Sequence, residues 1–362
     1  PVPDHRRLQF PARPKGEANV VAALLDTVDP DGLLEYSVVF TDRSLNHMSA
    51  TFQGVMRDIS ATLKSVYAAE AVAVVPGGGT YAMEAVARQL AHDRRVLVIR
   101  NGWFSYRWSQ IFEMGRIPAA ETVLKARRIS DQPEAPFAPV PVDEAVAAIG
   151  EQRPELVFAP HVETSAGMLL PDDYLRAIAA AVHEAGGLFV LDCVASGTLW
   201  VDMRDIGVDV LISAPQKGWS ASPCAGLVML SEAAQARVEQ TTSSSFSCDL
   251  KKWLQIMQTY ENGGHAYHAT MPTDGLAAFR RTIGEMETVG FDALKQRQVE
   301  LGRRIREVLA GAGFNSVAAP GFEAPGVVVC YTQDPSIHNG AKFREQGLQI
   351  AAGVPLQIDE PA

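Results

Sequence analysis

Asp192 and Lys217 are the residues whose types and placement point most directly to chemistry. Asp192 closes the apolar run Val190-Leu191-Asp192 and precedes Cys193-Val194-Ala195-Ser196. Such a run reads as a buried strand, and in open α/β sheets ligands sit at the carboxyl ends of strands. A carboxylate there can hold a cationic ring nitrogen. Lys217 stands in Ser213-Ala214-Pro215-Gln216-Lys217-Gly218-Trp219, after the next apolar run, Val208 to Ile212. It belongs to no charge run and to no obvious solvated helix face. A desolvated lysine supplies the partly neutral amine that imine chemistry needs. Each residue alone is more simply read as a cap aspartate or a surface lysine. The pair is more specific, because an acid at one strand end and an amine after the following strand can converge on one ligand.

Pyridoxal 5′-phosphate (PLP) requires that pairing. A lysine forms the Schiff base, and an acid keeps the pyridine nitrogen protonated so that the ring acts as an electron sink. A phosphate site is also on offer in Pro76-Gly77-Gly78-Gly79-Thr80-Tyr81, which follows the apolar run Ala71 to Val75 and opens a helical stretch. Glycines let backbone N–H groups approach a phosphate, and a helix N-terminus favours an anion. Neither a P-loop nor a dinucleotide fingerprint fits these residues. Asn101-Gly102-Trp103-Phe104 can place an aromatic over a ring or pack in the core. His161-Val162-Glu163-Thr164-Ser165-Ala166-Gly167 can present hydroxyls, with His161 by itself read as structural.

The elements that must position these residues follow from the same runs. Ala71–Val75, Arg95–Ile99, Leu156–Ala159, Leu188–Leu191, Val208–Ile212 and Gly226–Leu230 are short and nearly all apolar, and helical stretches separate them. That pattern predicts an α/β fold with a mostly parallel sheet covered on both faces. Thr51 to Tyr67 reads as a helix, Thr241 to Ser247 as a loop, and Thr273 to about Ala312 as a long helical stretch. A strand is expected at Gly326-Val327-Val328-Val329-Cys330-Tyr331 and a helix from Asn339 to Gln346. The expected division is an arm over 1–50, a large ligand-binding domain over 51–275 and a smaller C-terminal α+β domain over 276–362.

The chain has 362 residues, 47% hydrophobic and 20% charged, with a formal charge of −10. This balance disfavours nucleic-acid and membrane-surface roles, which need a basic face. Cys193, Cys224, Cys248 and Cys330 form no metal-type spacing. They read as reduced thiols, which points to a cytoplasmic protein. No apolar run approaches the roughly 20 residues of a membrane helix, and Pro1-Val2-Pro3-Asp4-His5-Arg6-Arg7 is no signal peptide.

Taken in order, six segments give the sequence a resemblance to class V aminotransferases, in particular the serine–pyruvate and alanine–glyoxylate group. They are Gly77-Gly78-Gly79-Thr80 with Glu84-Ala85, Asn101 to Phe104, His161 to Gly167, Asp192 to Ser196, Ser213 to Lys217, and Tyr267-His268-Ala269-Thr270-Met271-Pro272. The resemblance spans roughly 45–300 and implies the PLP-dependent fold type I. By resemblance, Lys217 would carry the cofactor and shuttle the proton, and Asp192 would pair with the pyridine nitrogen. Phe104 and Val194 would pack on the two ring faces. Gly78, Gly79, Thr80 and Gln216 would hold the phosphate, and Thr164 would lie near the ring hydroxyl. Tyr267 and Thr270 would reach the phosphate of a neighbouring subunit, which implies a homodimer with shared sites. The activity implied is amino transfer from a serine- or alanine-like donor to glyoxylate or pyruvate.

Two segments depart from the family pattern. Val38 to His47 stands where the family has a Gly-Pro-Gly-Pro-type segment near the substrate. The substrate-carboxylate arginine expected near the C-terminus is not found, since no Lys or Arg follows Arg344. Arg43, Arg107 and Arg344 offer no convincing replacement, so the polypeptide is expected to continue beyond Ala362. The alternatives are a lyase of the same fold, such as a cysteine desulfurase, and a catalytically silent binding relative. Desulfurases typically carry His where this chain has Gln216, and a reactive Cys on a late loop.

Overall fold

The computed structural model describes residues 45–351 and 353–358. Most of the atypical segment Val38 to His47, with Arg43, and the chain end after 358 lie outside them.

The apolar runs form a seven-stranded sheet. Its strands are β1 (Ala71–Pro76), β2 (Arg95–Arg100), β3 (Ala120–Lys125), β6 (Leu156–Pro160), β9 (Leu188–Asp192), β10 (Val210–Ser213) and β11 (Ala225–Leu230). Two-residue ladders pair β4 (Arg127–Arg128) with β5 (Phe137–Ala138), and β7 (Val162–Glu163) with β8 (Met168–Leu169). The order in the main sheet is β1-β11-β10-β9-β6-β2-β3. Pairing is parallel from β10 through β9, β6 and β2 to β3, and β11 runs antiparallel to both β1 and β10. Every residue of β6, β9, β10 and β11 is buried. That is why these strands read as continuous apolar runs rather than alternating ones. β3 escaped the sequence reading because it is a half-polar edge strand, Ala-Glu-Thr-Val-Leu-Lys, exposed over its first two residues.

Helices cover the sheet: α1 (Ala50–Tyr67), α2 (Gly79–Leu90), α3 (Trp103–Gly115), α4 (Val142–Gln152), α5 (Asp172–Glu184), α6 (Met203–Ile206), α7 (Glu232–Gln240), α8 (Leu250–Glu261), α9 (Thr273–Val289) and α10 (Phe291–Gly311). In α1 the Ser49 hydroxyl accepts from the Phe52 N–H, and Phe52, Met56, Ile59, Leu63 and Tyr67 make one buried stripe. The stretch from Thr273 onward is two helices rather than one, broken at Gly290, whose φ of 91° suits glycine.

Past α10 the expectations hold less well. Residues 326–331 are not a strand, and Cys330 makes only an isolated bridge to Ser316. The Val327 carbonyl instead accepts from Arg306 Nη2 at 3.0 Å, so a carbonyl that a ladder would need is held by a helix side chain. Two short helices follow, α11 (Pro335–His338) and α12 (Ala341–Glu345). A second, small apolar cluster gathers Ala126, Ala166, Met168, Val317, Ala318 and Ile358. Among the described residues no helix is long and apolar enough to cross a membrane.

Candidate active site

Asp192 ends β9 with its Cα paired to Pro160 of β6 and Ile212 of β10. Its carboxylate is buried, and one oxygen accepts from the Val194 N–H at 2.9 Å. Burial pushes its pKa up to about 6; the nearby Glu163 charge also raises it, and Arg107 opposes the rise. Asp192 is therefore an acid held in a dry place, where a cationic partner would favour its ionised form.

Lys217 lies in the loop after β10, the neighbouring strand. The loop is pinned from beneath by Trp219, which is fully buried among Tyr67, Trp200, Phe279 and Phe291. Its indole N–H donates to Ser213 Oγ at 3.3 Å. At Gly218 a Cβ would stand 1.8 Å from the Gly197 carbonyl oxygen. The loop carrying Lys217 thus presses directly on the loop that follows Asp192, and only glycine allows that approach. The Lys217 side chain is exposed and makes no hydrogen bond or ion pair with the described residues.

The third wall is the start of α2. Gly77, with φ +123°, turns the chain out of β1. Gly78 caps α2 without a side chain, and the N–H groups of Gly78, Gly79 and Thr80 donate to no described residue. A Cβ on Gly79 would meet Val194 Cγ2 at 2.7 Å, and one on Gly78 would lie 3.7 Å from Gln216 Nε2. Gln216 Oε1 is buried without a partner. Gly78, Gly79, Val194 and Gln216 therefore lie together, with unpaired polar groups among them.

Phe104 sits in the first turn of α3. The N-terminus of that helix is closed by the protein itself. The Trp103 N–H donates to Ser165 Oγ at 3.0 Å, and the Phe104 and Ser105 N–H groups donate to the two oxygens of Glu163 at 3.1 and 2.9 Å. Hydroxyls of Ser105 and Ser165, each at 2.7 Å, complete the Glu163 shell. One helix N-terminus is thus plugged by a carboxylate while the other, α2, stands open to an anion.

This arrangement fits PLP. A buried acid, an unengaged lysine and an open helix N-terminus near the Gln216 side-chain amide match the ring nitrogen, aldehyde and phosphate of one molecule. Thr164 is half-buried in the β7–β8 turn between Glu163 and Ser165. Tyr267 and Thr270 are not brought to this set by any described contact. Both are exposed, Tyr267 at 66%, and the Tyr267 ring packs on His47 with centroids 5.6 Å apart. His161 is buried, with Nδ1 2.7 Å from Ser196 Oγ, and burial lowers its pKa to about 4. It also borders a separate cavity of about 650 Å³ with Trp200, Lys295 and Arg306.

Two residues here had no assigned role in the sequence reading. Glu163 is the cap of α3, and no local pattern announces a cap supplied from another strand. Arg107 donates from Nη1 to Thr80 Oγ1 at 2.9 Å, and its guanidinium lies 5.0 Å from the Phe104 ring centre. Its spacing of three from Phe104 on a helix could have placed it on the same face.

The aminotransferase class-V family profile matches residues 31–354. A protein named soluble hydrogenase, small subunit, from Synechococcus sp. (strain PCC 6716) is 25% identical over 85% of this chain and 77% of its own length. A 2-aminoethylphosphonate–pyruvate transaminase from Syntrophobacter fumaroxidans is 27% identical over 76% of this chain and 71% of its own. Among solved structures, an alanine–glyoxylate aminotransferase from Nostoc sp. superposes with a TM-score of 0.70 at 24% identity, covering 83% of this chain and 76% of that one.

Proposed function

Because the chain belongs to the class-V aminotransferase family, a PLP-dependent enzyme family of fold type I, we propose that it moves an amino group from a small amino donor to a 2-oxo acid such as pyruvate or glyoxylate, using Lys217 and Asp192. The observation that carries this reading is the contact between the Gly218 and Gly197 loops. It holds the lysine-bearing and aspartate-bearing strand ends against one another, beside the open start of α2.

When bound, PLP supplies an aldehyde for imine formation and an electron sink for a carbanion. The chain supplies the rest. Lys217 anchors the cofactor, then takes the substrate's α-proton and returns it as general base and acid. Asp192 is held ionised by the ring cation and keeps the ring nitrogen protonated. Phe104 and Val194 would pack on the two faces of the ring. Gly78, Gly79 and Thr80 donate N–H groups to the phosphate, and Gln216 adds its amide. Thr164 would serve the ring hydroxyl. Tyr267 and Thr270, exposed and with no described contact to Lys217, would serve the site of a second copy. Residues 51–275 act as the cofactor-binding domain, and 276–362 belong to the small one.

A desulfurase reading needs a thiolate, and burial pushes all four thiols the other way. Cys193 is raised well above its ordinary value, Cys224 rises to about 11, and Cys248 and Cys330 rise as well. None is poised as a nucleophile at neutral pH.

The test is a donor-by-acceptor screen on the PLP-loaded protein, following the cofactor's visible absorbance band as each amino compound is added. 2-Aminoethylphosphonate belongs among the donors. The band should be present in the wild type, change with a productive donor, and be lost in Lys217→Ala. A bound cofactor that responds to no donor would leave a binding protein instead.

A further inference from the structure

We propose that Arg107 is a cofactor-binding residue: together with Thr80, it forms the cationic side of the phosphate cradle. The inference rests on the reading of Gly78 to Thr80 as that cradle. Arg107 stands one turn after Phe104 on α3, half-buried, with its guanidinium over the Phe104 ring and Nη1 on Thr80 Oγ1 at 2.9 Å. With its hydroxyl oxygen accepting from Arg107, Thr80 keeps its own O–H free to donate to a phosphate oxygen held by the open N–H groups of α2. The remaining guanidinium donors make no ion pair or further hydrogen bond with any described residue.

Charge points the same way. A phosphate dianion bound by a chain of net charge −10 needs a local cation. Arg88, in the last turn of α2, is taken by Glu84 at 2.6 Å, and Lys217 is committed to the aldehyde end. The Arg107 charge also acts on the Asp192 carboxylate, opposing the rise that burial causes. A planar guanidinium suits a phosphate, offering parallel N–H donors that an amine cannot. The Thr80 contact places it at the phosphate end of the cradle, which separates this role from one in holding the substrate's carboxylate.

The test compares two probes that differ only in the phosphate. The full chain is stripped of cofactor and titrated with PLP and with pyridoxal, for wild type, Arg107→Gln, Arg107→Lys, Thr80→Ala and the Arg107→Gln/Thr80→Ala double variant. Arg107→Gln should weaken PLP by about tenfold or more, about 1.4 kcal/mol, while pyridoxal changes by less than about twofold. Arg107→Lys should recover part of the loss, and the double variant should lose less than the product of the two single effects. Unchanged PLP affinity would overturn the proposal. So would equal weakening of both probes, which would mean that Arg107 only steadies Phe104. Unaltered cofactor affinity with a raised KM for the amino donor would reassign Arg107 to the substrate. A wild-type chain that takes up neither probe would sink the underlying reading of the site, whatever Arg107 does.

Discussion

Asp192 and His161 occupy neighbouring strand ends and are both displaced by burial, in directions that oppose one another with respect to stability. Asp192 rises from 3.8 to about 6. Over that window the folded chain holds a proton that the unfolded chain has released, so this residue makes stability fall as pH rises from about 4 to 6. His161 drops from 6.5 to about 4. There the unfolded chain binds the extra proton, and stability is lost as pH falls from about 6.5 to 4. Each amounts to about 3 kcal/mol by linkage, so in the cofactor-free protein the two largely offset. Asp192→Asn should therefore make acid destabilisation steeper than in wild type between pH 6.5 and 4, and His161→Gln should make it shallower. Denaturant titrations across that range check both, and parallel pH profiles for all three proteins would contradict the assignment. Cofactor affinity should rise with pH through about 6 in wild type, as Asp192 ionises to meet the ring cation, and lose that rise in Asp192→Asn. Asp192 and Lys217 were legible in the sequence because one ends a near-continuous apolar run and the other follows the next such run, and each run marks a strand and its carboxyl end. Arg107 and Glu163 were not, because their meaning lies in contacts with residues 27 and 58 positions away.

Two elements begin near the ring site, α2 and α3, and what satisfies their first N–H groups decides their roles. In α3 those groups are spent on Glu163 and Ser165. In α2 they are free among the described residues. Glu163 is fully buried and acts as a cap delivered from β7, fixing where α3 starts and hence where Phe104 points. Glu163→Gln should cost about 3 kcal/mol, because an amide cannot accept from every donor and its own N–H groups face them. The spectroscopic consequence is more specific. The induced circular dichroism of bound cofactor should weaken as Phe104 loosens, and Glu163→Asp should restore it only in part. A variant with wild-type stability and dichroism would show that α3 needs no such cap. The elements were readable where burial on both faces erased alternation, as in β6, β9 and β11. They were not where valines lacked a partner strand, as at Val327-Val328-Val329, since β-propensity describes a fit to neighbours rather than a backbone preference.

At the scale of the whole molecule, the exposed Tyr267 and Thr270 bear on assembly. On the proposed shared-site arrangement, mixing Lys217→Ala with Tyr267→Phe or Thr270→Ala should produce some dimers with one fully wild-type site, and activity above either parent. Verified subunit exchange with no gain would return Tyr267 and Thr270 to the site of their own chain. The sheet order has a separate consequence, for how the protein is made. β1 carries the cradle loop at its end and is the first strand described along the chain, yet it joins the sheet only through β11. Its partners, Ala71 with Leu230 and Pro76 with Ala225, lie some 150 residues further on. A ribosome must release the sequence through Leu230 before the cradle has a floor, and a contact of such range closes slowly. The growing chain thus presents Asp192 and Lys217 to the cell before it can grip a phosphate, and cofactor capture becomes a late event in biosynthesis.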